Sequence, residues 1–297
     1  MSANGEWTTI SANEYQFAFE RFGGSFALHP RVVAIVASLA RRPVRYAGLI
    51  REGALLAAVP LWGEHVVATK PALEFYGKSH LIDVGDSEVV LPVAEDARIN
   101  MPFTANMVSN LHVNNISNVK HETDFTLMLA KGLRIGNHRL SKKRQKERRR
   151  QIRRFKEVGG TFRPIGDFSA DETATVYTQL FEKRWGFCPI AKDLLPTVLQ
   201  ELKDMLCGDV LLLRDRPVAI RLIYRNETSR WLFANAVNGG IDPEFRNHSP
   251  GGILLFRTIE YLEQEAGASN KTLRFSCGQN DANYKKLWCF EVPTYRL

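Results

Sequence analysis

The stretch DVLLLRDRPVAIRLIYRNETSRWLFANAV, Asp209 to Val237, constrains the architecture more tightly than any other part of the chain. Three apolar runs are separated by short polar turns. Such turns suit antiparallel neighbours, because parallel strands need a long crossover. A meander of this kind must be covered by helices, and the flanking segments supply them. Upstream, ADETATVYTQLFEKRWG (Ala170 to Gly186) reads as a helix with an acidic first turn, and LLPTVLQELKDML (Leu194 to Leu206) as a second, ended by Gly208. Downstream, SPGGILLFRTIEYLEQEAG, TLRFSCG, NDANYKKLWC and FEVPTYRL read as helix, strand, short helix and strand.

The same order appears near the start. NEYQFAFERF (Asn13 to Phe22) spaces Tyr15, Phe19 and Phe22 on one helical face, and RVVAIVASLA (Arg31 to Ala40) follows Pro30 as a second helix. Val44 to Trp62 then forms two apolar runs about Arg51-Glu52-Gly53, a β-hairpin. Two halves that each begin with paired helices feeding a hairpin suggest a duplicated module. Lys70 to His121 carries only weak patterning and reads as mixed strand and loop. The 297 residues, 44% of them hydrophobic, suffice for one large domain or two of ordinary size. Cys188, Cys207, Cys277 and Cys289 show neither a C-x-x-C pair nor zinc-type His spacing, so the expectation is reduced thiols and no metal. The first residues lack a basic region followed by an apolar run, and no stretch reaches roughly eighteen uninterrupted apolar residues. These features lead us to expect a cytoplasmic protein whose membrane contact, if any, is peripheral.

The segment with most chemical content is RNHSPGGILLFRTIEYL, Arg246 to Leu262, directly after a strand. Ser249 suits an N-cap, Pro250 the first helical position, and Gly251 and Gly252 leave the next amides uncovered by side chains. Free N–H groups at the positive end of a helix form an anion site suited to a pyrophosphate. Arg246 and His248 stand just upstream as charge partners. A capped helix with a glycine-containing loop is the plain alternative.

In these residues the chain resembles the GNAT superfamily of acyltransferases, whose pyrophosphate loop reads Q/R-x-x-G-x-G/A between a strand and a helix. Arg246 and Gly251 fit that pattern, while Ser249 stands where the middle glycine is usual. The order of features is similar to the double-lobed branch containing CelD-like proteins and Fem-type peptidyltransferases. The shared elements are a basic helix between lobes, Pro250-Gly251-Gly252-Ile253-Leu254-Leu255, and Gly278 followed by Tyr284-Lys285. As a whole the chain resembles the Mig-14 family of bacterial macrophage-inducible proteins, associated with virulence and with resistance to cationic antimicrobial peptides at the inner membrane. The resemblance implies an α/β (α+β) fold of two GNAT-like lobes, each a mixed, mostly antiparallel sheet flanked by helices. It divides the chain into a degenerate lobe (1–135), a basic interlobe helix (136–160) and a donor-binding lobe (161–297). It implies acyl-CoA as donor, held by Arg246, His248, Ser249, Gly251, Gly252 and Ile253, an amine acceptor at splayed strands, and Tyr284 as the general acid. Cys277 is open to two readings, an acyl-carrying thiol or a buried inert one.

The basic run KKRQKERRRQIRRFK gathers Lys142, Lys143, Arg144, Lys146, Arg148, Arg149, Arg150, Arg153 and Arg154 in a helix whose apolar edge is Ile152, Phe155 and Val158. Cations near a helix N-terminus oppose the macrodipole by up to about 1 kcal/mol each, which calls for an anionic partner. Carboxylates of both lobes, anionic lipid, cofactor phosphates and nucleic acid all stay open at this point. The alternatives to an N-acyltransferase acting on an envelope component are therefore a nucleic-acid-binding regulator, a catalytically silent membrane-apposed scaffold and a tRNA-dependent aminoacyl transferase. A net charge of +8 argues against resistance by direct sequestration of cationic peptides, and favours covalent modification of an envelope component.

Overall fold

The structure, a computed structural model, describes residues 5–297. The first half contains β1 (Glu6–Ile10), α1 (Ala12–Phe22), α2 (Pro30–Ala40), β2 (Arg45–Arg51), β3 (Ala54–Trp62), β4 (His65–Val66) and α3 (Lys70–Phe75). Its sheet has the order β1-β2-β3-β4 and is antiparallel throughout. After a long irregular segment come β5 (Lys120–Ala130), the basic helix α4 (Lys142–Glu157), β6 (Gly160–Pro164), α5 (Ala170–Trp185) and α6 (Leu195–Glu201). The meander is β7 (Asp209–Leu213), β8 (Arg216–Glu227) and β9 (Trp231–Ile241), followed by α7 (Pro250–Ala268), β10 (Thr272–Gln279), α8 (Lys285–Trp288) and β11 (Cys289–Arg296).

These strands form a seven-stranded sheet, β11-β5-β10-β9-β8-β7-β6, in which β9 and β10 are the parallel pair. This is the two-lobed α/β arrangement expected from sequence. Strand β5 lies before the expected boundary at 135, yet it is inserted between β10 and β11 of the second sheet. The halves also share a core. Val32, Val33 and Val36 of α2, with Trp62 and Leu73, pack in one cluster with Ile220, Leu222 and Tyr224 of β8 and with residues of α5 and α6. Phe26 stacks on Tyr224 at 4.4 Å between ring centroids.

Local signals explain the helices. Ser11 with Glu14, and Ser169 with Glu172, close capping boxes, and Gly186 ends α5 in the left-handed region. The helix expected to run to Leu206 stops at Glu201, and the chain tightens into a 3-10 turn at Lys203–Met205. The weakly patterned segment holds little regular structure beyond α3 and a 3-10 turn, yet it buries Val89, Leu91, Val93, Ile99, Met101 and Val108. Single bonds such as Val89 N–H to Met107 O (2.9 Å) and Ala58 N–H to Pro92 O (2.9 Å) satisfy its backbone in place of ladders.

His112 sits in this irregular core, where its Nε2 accepts the Leu91 N–H at 2.8 Å. Burial lowers its pKa to about 4. A depressed histidine leaves the unfolded chain holding more protons than the native one, so its contribution is full above the unfolded value near 6.5 and is lost as pH falls toward 4. At about 1.4 kcal/mol per pKa unit the loss is on the order of 3 kcal/mol. Urea titrations at pH 7 and 4.5 should show this fall, and His112→Gln should reduce it.

Candidate functional site

The site arises where the parallel pair opens. β9 and β10 stay in register from Trp231↔Thr272 to Asn235↔Ser276. Beyond that point β9 continues to Ile241 against β8, while β10 turns toward β5 at Gln279↔Leu127. The divergence leaves a cavity of about 610 Å³, within the range of roughly 300–1,000 Å³ usual for small-molecule sites. Ala236, Val237, Asn238 and Gly239 form one wall, Cys277 and Gly278 another, and the first half closes it with α3 and the 79–86 loop.

Two glycines make this assembly possible. A Cβ at Gly240 would lie 2.4 Å from the Leu180 carbonyl carbon, so only glycine lets α5 settle on β9. Gly85 has φ +62°, and a Cβ there would approach the Val237 Cα to 3.1 Å, which brings the first-half loop onto the strand. Asn235 fastens that loop, its Nδ2 donating to Ser87 Oγ at 2.7 Å.

The loop carries Asp83, whose Oδ1 accepts the Gly85 N–H at 2.8 Å. Burial raises its pKa above the ordinary carboxylate value, against the opposing effect of hydrogen bonds from Gly85 and Asn238. From α5, Arg184 Nη1 donates to Gly239 O at 3.0 Å and the guanidinium lies over Trp185 at 4.3 Å. Burial, reinforced by the nearby Arg221 charge, holds the Arg184 pKa below the usual arginine range. Arg221 stands on β8 directly opposite Gly239. Lys285 donates to Gln279 O at 2.8 Å and pairs with Asp281 at 2.6 Å. Tyr284, 40% exposed, lines the cavity with Trp185, Phe187 and Ile190. Phe233, by contrast, is buried and Trp231 half-buried. Cys277 is a buried thiol at the cavity wall.

The sequence-predicted loop lies apart from this cavity's lining. Ser249 is not a side-chain N-cap: it adopts φ +51° and makes no capping hydrogen bond. The Ile253 amide is not free either, since it donates to Ser249 O at 3.0 Å and its side chain is fully buried. Pro250 has no N–H, which leaves the Gly251 and Gly252 amides as the pair without a hydrogen-bond acceptor among the described residues. Both positions are cradled closely: a Cβ at Gly251 would meet Ile241 Cδ1 at 2.8 Å, and one at Gly252 would meet Arg148 Nη1 at 3.1 Å and Trp288 Cζ2 at 3.3 Å. His248 is half-buried near Phe155, and Arg246 is exposed.

The basic helix connects the halves in sequence but packs chiefly on α7 and β6. Phe155 is buried and Ile152 half-buried, while Val158, expected on the apolar edge, is 43% exposed. Of the partners left open by the sequence, carboxylates appear as Arg149–Glu260 at 3.7 Å, to α7, and Arg150–Glu147 at 3.5 Å, within the helix. Arg148 stacks over Trp288 at 4.8 Å, and Arg144 donates to Leu287 O at 3.1 Å. Lys143, Lys146, Arg150 and Arg153 line one open groove, while Lys142 and Arg154 are also exposed.

A family profile described as Mig-14 matches residues 29–297. The chain belongs to the Mig-14 family. No curated protein matches the sequence. Among solved structures, the chain is similar to FemX, with a TM-score of 0.57 and 11% identity over 98% of this chain and 96% of that one. It is also similar to L-PGS from Bacillus licheniformis, with a TM-score of 0.50 and 12% identity over 100% and 93%. The C-terminal domain of a putative lysylphosphatidylglycerol synthetase from Agrobacterium fabrum gives 0.50 and 10% over 96% and 92%. At these identities the likeness is one of fold, and it spans both halves of the chain. Among the described residues no helix is long and apolar enough to cross a membrane.

Sequence reasoning pointed to Tyr284 but missed Asp83, Arg184 and Arg221. Asp83 and Gly85 in IDVGDS, and Arg184 in FEKRWG, were legible only as turn and helix-end residues.

Proposed function

We propose that this protein transfers an acyl or aminoacyl group to an amine in the cavity between its halves. The observation that carries the reading is the opening of β9 from β10 into a space with a raised-pKa carboxylate on one wall and a tyrosine hydroxyl at its edge. Asp83 would take the proton from the attacking ammonium or amine, and Tyr284 would return one to the leaving group. Orientation within the cavity, with a backbone N–H from the opened strand edge for the developing oxyanion, supplies the rest of the catalysis.

In this reading acyl-CoA is the donor, with its phosphates at the helix mouth. The Gly251 and Gly252 amides with Arg148 beside them would hold its phosphates, and Arg246 and His248 stand on the same turn. The donor supplies an activated carbonyl when bound. Adding acyl-CoA should raise the melting temperature by mass action, on the order of 3 kcal/mol of stabilisation at a hundredfold excess over Kd. Gly252→Glu should abolish the shift; the flexible Arg148 can give way, and a melting curve of the free variant checks that the buried Trp288 ring beside it is tolerated. A shift with aminoacyl-tRNA and none with any CoA thioester would assign the donor to the tRNA-dependent class.

The acceptor in this reading is an envelope component whose modification weakens the attraction of cationic antimicrobial peptides. A peripheral position on anionic membrane is supported by the open cationic row Lys143, Lys146, Arg150 and Arg153, which faces away from the packed side of α4. Vesicles containing anionic lipid should bind in a salt-sensitive manner, gaining on the order of 1 kcal/mol per cation near the surface. Replacing the four cations by glutamine should weaken that binding strongly, by roughly 1 kcal/mol per cation removed. Tighter binding to duplex DNA in the same buffer would move the helix to the nucleic-acid reading.

A further inference from the structure

The charges of the cavity do not cancel locally. Lys70 pairs with Asp86 at 2.9 Å and its charge also acts on Glu74 and Asp83, while Lys285 pairs with Asp281 at 2.6 Å. Four charged side chains remain on the lining, and none of them makes an ion pair within 4.0 Å among the described residues. Their distribution is ordered. Asp83 and Glu74 come from the first half, Arg184 and Arg221 from the second.

The two arginines meet at one residue. Arg221 is the register partner of Gly239, whose carbonyl accepts from Arg184 Nη1. Both are half-buried. Two guanidiniums gathered around one glycine repel each other and are partly stripped of water, an arrangement that costs stability unless an anion completes it. Arginine forks match the planar or tetrahedral oxygens of carboxylates and phosphates. On the first-half side of the lining, Glu74, Asp83 and Asp86 surround the single ammonium of Lys70, an excess of carboxylate suited to a second ammonium, and Val84, Ala236 and Val237 add apolar lining.

We infer that the cavity takes a zwitterion: a primary amine joined by a short apolar spacer to an oxyanion, with the amine at Asp83 and the oxyanion at Arg184 and Arg221. This inference rests on the reading of the cavity as the acceptor site and names the chemical class of the acceptor. The shared chemistry is the amine plus oxyanion, whether the oxyanion is the carboxylate of an amino acid or the phosphate of an aminoalkyl headgroup.

The test is calorimetric titration of the full chain with phosphoethanolamine, γ-aminobutyrate, ethanolamine and butyrate. Each zwitterion should bind at least roughly tenfold more tightly than ethanolamine or butyrate. Arg221→Met or Arg184→Met should reduce zwitterion affinity to the ethanolamine level, and Asp83→Asn to the butyrate level, with melting curves confirming that each variant is folded. Should one arginine variant fail to fold, the other decides. A preference for phosphoethanolamine over γ-aminobutyrate assigns a phosphate source, and the reverse assigns a carboxylate. Equal affinity for zwitterions and single-charge probes, no binding of any probe, or an arginine variant with unchanged affinity overturns the inference. Zwitterion selectivity in a protein that no acyl donor stabilises would instead remove the transferase reading and leave the subsite standing. Transfer to plain amines as fast as to zwitterionic ones would do the opposite.

Discussion

Arg274→Met is expected to lower the unfolding free energy by about 3–5 kcal/mol, among the largest losses for a single side chain in this fold. Arg274 on β10 is 8% exposed and Glu88 is 4% exposed. The guanidinium donates through Nε to Glu88 Oε2 at 2.7 Å and through Nη2 to Glu88 Oε1, with Asn110 Oδ1 as a further acceptor at 2.8 Å. Removing it leaves a buried carboxylate unpaired in a region of low dielectric. The pair also joins the irregular first-half segment to the second sheet, so its loss loosens the wall that carries Asp83. Urea denaturation should show the drop. The double variant Glu88→Leu, Arg274→Met should recover most of it, because replacing both partners removes the orphaned charge. A single-variant loss below about 1 kcal/mol would show that water reaches the pair.

Asp83→Asn should reduce transfer by about 10²- to 10⁴-fold, the usual range for a general base, while leaving the protein folded. It should also stabilise the protein at neutral pH, and the sign follows from the direction of the shift. A carboxyl group whose pKa is raised in the folded state holds its proton more firmly there than in the unfolded chain. Stability from this group therefore falls as pH rises from the unfolded value near 3.8 through the folded one. Asparagine does not ionise and so escapes that loss. A melting temperature above wild type at pH 7 together with lost turnover would separate a positioned base from a structural carboxylate. In wild type the acidic limb of the rate profile should lie above the ordinary carboxylate range. Unchanged turnover in Asp83→Asn would assign the proton transfer elsewhere.

Much of the fold was legible because its signals are local. The capping boxes at Ser11 and Ser169, Pro30 and Pro250 at helix starts, and Gly186 after α5 act within a turn or two of the residues that they control. The hairpin at β2 and β3 and the meander of β7 to β9 pair with their neighbours in sequence, so punctuation alone reveals them. Strand β5 pairs with β10 and β11 far along the chain, and nothing in Lys120–Ala130 names those partners. The 70–121 segment gave weak patterning because its burial is achieved by single bridges, which have no period.

The functional site divides in the same way. Gly251 and Gly252 were visible as residue types in a helix-start pattern and Tyr284 through the family resemblance, whereas Ser249 and Ile253 took different backbone roles once α7 formed. The opposed charges of the cavity come from four places: Glu74 on α3, Asp83 in a loop, Arg184 at the end of α5 and Arg221 on β8. The sequence by itself determined the helices with local caps at Ser11 and Ser169 and the strands paired with their sequence neighbours, since those depend on residues close by in the chain. Only the tertiary structure decided which charges were left unpaired around the cavity. That outcome depends on close approaches at Gly85 and Gly240, where two distant backbones meet without room for a side chain.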